Sequence, residues 1–275
     1  MAKPVQLAVV PVVPQALVPT PADAPTVLEV AAAGAKRGVR GAMATVLART
    51  GSAPSTPGQK IYAAMDGTCV GTVGGGAIER EVIEALARIV GSESARHELR
   101  TFRLGPELAM CCGGSVDILL EPIFAMCHCL IVGGGHVASA VAPLLARVGF
   151  VVTVVDEREA WGKEGRIDGA RCVVGEFDDV GKEIPASGVV LVMTHDHAMD
   201  QRAIEWALRR GYAFVGGVGS RAKAQRTRDR LAAKGFSEED RARVRMPLGA
   251  SIGARLPDEI AVAIAAEMVT WRRTR

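Results

Sequence analysis

The stretch Cys129-Leu130-Ile131-Val132-Gly133-Gly134-Gly135-His136-Val137-Ala138 decides the fold. It opens on a short all-apolar run, the kind of strand that lies buried on both faces in a parallel sheet. Glycines follow at once, then a helical stretch to Val148, so the segment reads as strand, tight turn and helix. Phe150 to Val155 is a second apolar strand, closed by Asp156. In that βαβ setting Gly133-x-Gly135-x-x-Ala138 is the G-x-G-x-x-A form of the dinucleotide fingerprint. Its turn would bring a phosphate to the backbone at a helix start, and Asp156 would accept the hydroxyls of a ribose. NAD(P) or another nucleotide is therefore one candidate ligand. The same glycines also serve packing in a Rossmann shell that binds nothing there, or a different phosphate-bearing ligand.

Working outward, Cys172 to Val174, Val189 to Met193 and Tyr212 to Val215 are further short apolar strands. They alternate with helical segments at Asp200 to Arg210 and Ser220 to Lys234, and Pro257 starts a last helix through Trp271. The alternation predicts an α/β fold, a Rossmann-like doubly wound parallel sheet over residues 127–275. The half before it has another grammar: a helix from Thr26 to Arg37 capped by Thr26, a strand from Ala42 to Thr50, and a hairpin at Asp66-Gly67. An amphipathic helix carrying Ile78, Val82, Leu86 and Ile89 follows, then strands at Leu99 to Phe102 and Val116 to Leu120. These make a small N-terminal α/β domain over 27–124. Residues 1–26, punctuated by six prolines from Pro4 to Pro25, are expected to be a disordered arm.

Composition limits the function classes. Of 275 residues 49% are hydrophobic and 23% charged, which excludes disorder throughout and favours a soluble two-domain chain. With 33 basic against 30 acidic residues the net charge is +3, too small for a nucleic-acid footprint. No apolar run free of charge and proline is long enough to span a membrane, and Pro11, Pro14 and Pro19 interrupt the apolar N-terminus before it could act as a secretion signal. The 6 cysteines do not have the spacing of a disulfide scaffold, so a reducing cytoplasm is expected.

Three histidines, His136, His195 and His197, fall just beyond the C-terminal ends of the expected parallel strands, where open α/β sheets bind ligands. Thr194-His195-Asp196-His197-x-x-Asp200 offers groups that bind metals or move protons, and groups that equally well cap a helix. Ser220-Arg221-Ala222-Lys223, after Gly216-Gly217-Val218-Gly219, reads as an anion cradle. The later Arg226, Arg228 and Arg230 read as a solvated basic face, with docking of an acidic partner as the functional alternative. In the first half Gly74-Gly75-Gly76 is a second glycine-rich candidate for anion binding. Cys111-Cys112-Gly113-Gly114 places two thiols before glycines that would let a bulky ligand approach; a thiolate is a soft ligand and a nucleophile, whereas buried cysteines are merely small apolar side chains.

Together these residues resemble the XdhC/CoxI family, accessory proteins of xanthine dehydrogenase and related molybdenum hydroxylases. The resemblance is carried by Arg49-Thr50-Gly51-Ser52-Ala53-Pro54, Asp66-Gly67-x-x-Val70-Gly71-Thr72-Val73-Gly74-Gly75-Gly76, Glu79 and Cys111-Cys112-Gly113-Gly114. It continues through Gly133 to Ala138, Asp156-x-Arg158, Thr194 to Asp200, Gly219-Ser220-Arg221-x-Lys223 and Pro247-x-Gly249-x-x-Ile252-Gly253-Ala254. Ala77 stands where CoxI-like members often carry Cys, and the vicinal cysteines point to the XdhC branch, with Met110 where that branch commonly has Gln.

The resemblance implies a chaperone that binds molybdenum cofactor (molybdopterin), protects its sulfurated form and inserts it into an apo-molybdenum hydroxylase such as xanthine dehydrogenase. Proteins of cofactor biosynthesis or sulfuration are expected as further partners, and a homodimer as the assembly. Cys112, with Cys111 beside it, is then the candidate molybdenum ligand. The rivals are an NAD(P)-dependent oxidoreductase using His195 or His136, and a sulfur-transfer enzyme carrying persulfide on Cys112.

Overall fold

The structure, a computed structural model, describes residues 17–92, 94–103 and 114–274. The chain divides into two units, residues 1–126 and 127–275.

In the first unit, five antiparallel strands, β1 (Gly41–Thr50), β2 (Lys60–Ala64), β3 (Cys69–Gly71), β4 (Glu98–Arg103) and β5 (Ser115–Ile123), lie in the order β3-β2-β1-β5-β4. The period of two along β1 divides its side chains between two layers. Ala42, Ala44 and Val46 face α2 (Gly76–Gly91) with Ile78, Val82 and Leu86, while Met43 joins Val27, Ala31 and Tyr62 under α1 (Ala24–Lys36). Helix α1 starts earlier than the sequence suggests. Its cap is Asp23, whose carboxylate accepts the N–H of Thr26 at 3.0 Å, and Pro25 sits in the first turn where its missing N–H costs nothing. Thr20 also pairs with the edge strand, donating to Cys69 O at 3.0 Å and accepting from Gly71 N at 2.9 Å. The segment from Thr20 to Thr26 therefore belongs to this unit rather than to a disordered arm.

The second unit is a six-stranded parallel sheet, β6 (Cys127–Val132), β7 (Phe150–Asp156), β8 (Ala170–Val174), β9 (Val189–Val192), β10 (Phe214–Gly217) and β11 (Val244–Arg245), ordered β11-β10-β9-β6-β7-β8. The chain winds one way from β6 and then the other, so the switch point lies between β6 and β9. Both faces are covered at the centre of the sheet, which is why Leu130 to Val132 and Val189 to Val192 are apolar at every position. Cys129 and Ile131 face α3 (His136–Arg147) and α9 (Pro257–Arg273); Leu130 and Val132 face α6 (His197–Arg209) and α7 (Arg221–Ala233). Short helices α4 (Glu159–Gly162), α5 (Phe177–Val180) and α8 (Glu238–Ala242) fill connections. Among the described residues no helix is long and apolar enough to cross a membrane.

Gly71 shows how closely the first unit is built. Its φ is +100°, and a Cβ there would lie 2.2 Å from Lys60 O. Gly71→Ala is expected to destabilise the first unit by about 2–3 kcal/mol, from left-handed strain and displacement of β2 together. Chemical denaturation of the full chain checks this, and an unchanged first transition would contradict it.

Candidate functional site

The fingerprint turn is where the sequence places a ligand, and the structure fills it with the chain's own groups. Asp156, buried at the end of β7, accepts Gly134 N at 2.8 Å and Arg158 Nη2 at 2.8 Å on one oxygen. Its other oxygen accepts the Arg158 backbone N at 3.0 Å and Nε at 2.8 Å. A carboxylate has about four acceptor positions, and here all are engaged. The expected ribose-binding role would require Arg158 to leave.

Around this pair the turn is packed shut. A Cβ on Gly133 would lie 2.8 Å from Met193 O, and one on Gly134 only 2.4 Å from Trp161 O, whereas Gly135, the N-cap of α3, has open space beside it. Arg166 donates to Gly134 O at 2.8 Å, and the guanidinium carbons of Arg158 and Arg166 lie 5.2 and 4.6 Å from the Trp161 ring centroid. His136 is exposed at the first position of α3, edge-on to Trp161 with centroids 5.4 Å apart. The crevice left beside Gly133, Asp156 and His195 measures about 30 Å³, the share of a single water.

A larger cleft of about 550 Å³ opens across the switch point, between the ends of β9 and β10 and the start of α7. Val137, Met193 and Val218 give it apolar surface; Lys223, Arg226 and Arg230 give it three cations, with His197 and Ser220 at its border. It is built around a buried carboxylate. Asp200, in the first turn of α6, accepts Thr194 N at 3.1 Å and Thr194 Oγ1 at 2.7 Å, and its second oxygen accepts Lys223 Nζ. Lys223 also donates to Val218 O at 3.0 Å, so the β9 and β10 turns are joined through one ammonium. Ser220 caps α7, accepting the Lys223 N–H at 3.2 Å.

The T-H-D-H stretch thus resolves into separate duties. Asp196 caps α6, accepting from Ala198 N at 2.6 Å. Asp200 makes the ion pair, and His195 and His197 stay exposed, with His197 Nδ1 3.9 Å from Asp200. No cluster of potential metal ligands forms among the described residues. Arg221 is exposed and outside the cleft, while Arg226 and Arg230, read from sequence as a solvated face, line it. Arg228 turns elsewhere and donates to Met246 O at 3.0 Å. The spacing of Arg226 and Arg230 from Lys223, three and seven residues on, is the signal that places them on one helix face.

In the first unit Gly74 and Gly75 of the glycine triplet also donate to the chain's own groups. Glu79 Oε2 accepts Thr72 Oγ1, Val73 N at 3.1 Å and Gly75 N at 3.2 Å, and Gly74 N donates to Thr72 Oγ1 at 3.1 Å. The acid compensates the α2 N-terminus from within and takes the Gly75 N–H that an anion would otherwise use. Gly114 packs against the loop after β1, where a Cβ would lie 2.4 Å from Thr50 O. Cys111, Cys112 and Gly113 lie outside the described residues. Of the other cysteines, burial and then the Glu79 carboxylate push the Cys69 thiol up to about 11, and burial raises Cys129 well above its ordinary value. Neither is a thiolate at neutral pH.

Burial pushes the Asp156 carboxyl up, but hydrogen bonds from Arg158 and Gly134 outweigh it and hold the group below its ordinary 3.8. A depressed folded value means that Asp156 stabilises the second unit fully above 3.8 and ceases to as pH falls through the lower folded value. Asp156→Asn is expected to cost about 2 kcal/mol at neutral pH and to flatten the acid limb of a melting-temperature profile. An unaltered acid limb would contradict the assignment.

Comparison with known proteins follows the same division. Residues 129–268 match the XdhC Rossmann domain, and residues 35–103 match the XdhC and CoxI family. Uncharacterized protein YqeB of Escherichia coli is 32% identical over 234 residues, which is 83% of this chain and 43% of that protein. A Bacillus subtilis protein described as a probable subunit of xanthine dehydrogenase is 29% identical over 163 residues, 58% of this chain and 47% of the relative. The chain thus spans less than half the length of these curated relatives. A crystal structure described as a xanthine dehydrogenase from Bacillus halodurans superposes with a TM-score of 0.50 at 19% identity, covering 92% of this chain and 97% of that one, a likeness of fold. With over half its length inside the Rossmann-domain match and most of its first unit inside the other, the chain belongs to the XdhC and CoxI family.

Proposed function

We propose that the chain serves the maturation of xanthine dehydrogenase-type molybdenum hydroxylases by carrying molybdenum cofactor to them. The observation that carries this reading is the 550 Å³ cleft at the switch point, in a chain of this family. It is of ordinary ligand size and combines apolar surface with cations, as a phosphate-bearing pterin requires. The cofactor supplies the redox metal of the client enzyme. This chain's part is to bind its anionic end and limit water around it, with Lys223, Arg226 and Arg230 as the binding cations. Among the described residues no thiol stands in the cleft lining, and the buried thiols of Cys69 and Cys129 are held protonated. The role of soft sulfur donor falls to Cys112 and Cys111, where a vicinal pair before two glycines suits a metal or its sulfido group.

A carrier needs no turnover, and neither rival gains support from the site. Asp156 is engaged by Arg158, which disfavours a nicotinamide nucleotide at the fingerprint. His195 and His136 are exposed, and the crevice that His195 borders measures only about 30 Å³. Persulfide transfer would use the same Cys112, and a persulfide trapped there would favour it. Xanthine dehydrogenase-like apo-enzyme is the expected client.

Anaerobic purification of the full chain from a cofactor-producing host should yield molybdenum and pterin approaching one per chain. Absence of both, also after reconstitution with free cofactor, would overturn the reading. Cys112→Ala should lower retained molybdenum and client activation several-fold with the melting temperature preserved, whereas Cys172→Ala, at a buried position in β8, should leave both intact. Equal retention in the two variants would return Cys112 to a packing role.

A further inference from the structure

Two turns of the second unit compete as anion sites. At the fingerprint, Gly134 N is already donated to Asp156, Arg158 is committed to the same carboxylate, and Arg166 donates to Gly134 O and to Ser139 Oγ at 3.1 Å. Arg158 and Arg166 are thus both spent on the chain itself, and the crevice beside Gly133, Asp156 and His195 holds about one water.

The β10–α7 turn is the opposite case. Lys223, Arg226 and Arg230 share one face of α7 and all line the cleft, whose lining contains no carboxylate among the described residues. Arg226 and Arg230 are exposed and have no ion-pair partner among the described residues. Lys223 gives one donor to Asp200 and one to Val218 O, which leaves the third of its three N–H bonds. Val137, Met193 and Val218 line the same cleft with apolar surface.

We infer that this cleft binds the phosphate or pyrophosphate ester of a flat heterocycle, with the anion held by Arg226 and Arg230, and that the fingerprint turn takes no phosphate. The heterocycle's identity rests on the carrier reading; the anion pole rests on the cleft's own residues. A small molecule fits these cations better than an acidic protein face does. They converge on a concavity, and Arg228 is diverted to Met246 O, so the three arginines form no continuous stripe. Two guanidiniums four residues apart present forked donors suited to phosphate oxygens.

Calorimetric titration of the full chain with inorganic pyrophosphate, and in parallel with NAD⁺, tests this. Pyrophosphate should bind one per chain, and Arg226→Gln with Arg230→Gln should weaken it by about tenfold or more. Arg230→Gln alone should act in the same direction. Arg147→Gln with Arg210→Gln removes the same charge at the ends of α3 and α6, away from the cleft, and should change the affinity by less than about twofold. Melting temperatures of all variants separate lost binding from lost fold.

Equal weakening by the distant pair would reduce the effect to general charge, and undiminished binding in the cleft variant would overturn the assignment. NAD⁺ binding insensitive to Arg226 and Arg230 would return the anion to the fingerprint. Slower client activation by the cleft variant with normal pyrophosphate binding would assign these arginines to protein docking instead. Retained molybdenum and pterin without pyrophosphate binding would sink the anion pole alone; pyrophosphate binding without retained cofactor would sink carriage alone.

Discussion

The carboxylate of Asp156 governs the ligand end of the second unit. It takes four hydrogen bonds, one of them from Gly134 in the fingerprint turn and three from Arg158. These bonds draw the turn and the segment leading into α4 together, with Trp161 O against Gly134 and two guanidiniums over the Trp161 ring. A nucleotide entering here would exchange charge-assisted bonds inside the protein for bonds to its own hydroxyls, with Arg158 left to find another partner. The room for a ligand consequently lies on the other side of the switch point.

Asp200 does the complementary work there. It is buried, so its charge is tolerable only because Thr194 and Lys223 satisfy it. Removing Lys223 would leave an uncompensated buried charge, a loss of about 3–5 kcal/mol where such pairs are broken. The ammonium it holds is therefore fixed in place at the cleft wall, while the arginines beyond it remain free to reach an anion. One acid closes a site and the other shapes one, although both stand at the C-terminal edge of the same sheet.

Much of this fold is legible in the sequence because its physics is local or repetitive. Leu130-Ile131-Val132 and Val189 to Val192 are apolar at every position since helices cover both faces, and the period of two in β1 divides Ala42 and Ala44 from Met43. Elements held by tertiary contacts escape such reading. β11 is two residues long and exists through its pairing with β10, and α4 is positioned by Gly162 packing on Asp156 O and Val173 O. The site was legible as glycines and acids but not as occupancy. G-x-G-x-x-A records that a backbone turn is tight, whereas whether ligand or protein fills it depends on Arg158 and Arg166, which no glycine pattern mentions. Arginines on a polar helix look alike in sequence whether they face solvent or a cleft; only their register with Lys223 and the diversion of Arg228 tell them apart.

The same device recurs in the first unit. Glu79 takes the N–H groups of Val73 and Gly75 much as Asp156 takes that of Gly134, so both glycine-rich turns are held in shape by the chain's own acids. The β10–α7 turn, fixed by the bonds of Ser220 and Lys223, keeps its neighbouring arginines open instead, and ligand binding there does not have to bear the ordering cost of the backbone. In the carrier reading this suits release as well as capture. An anion held by exposed arginines remains partly hydrated and screened by salt, so each contact is weaker than it would be in a sealed pocket. A client enzyme that encloses the same phosphate more completely can then win it on differential affinity alone, with no need for the carrier to unfold or to change its core.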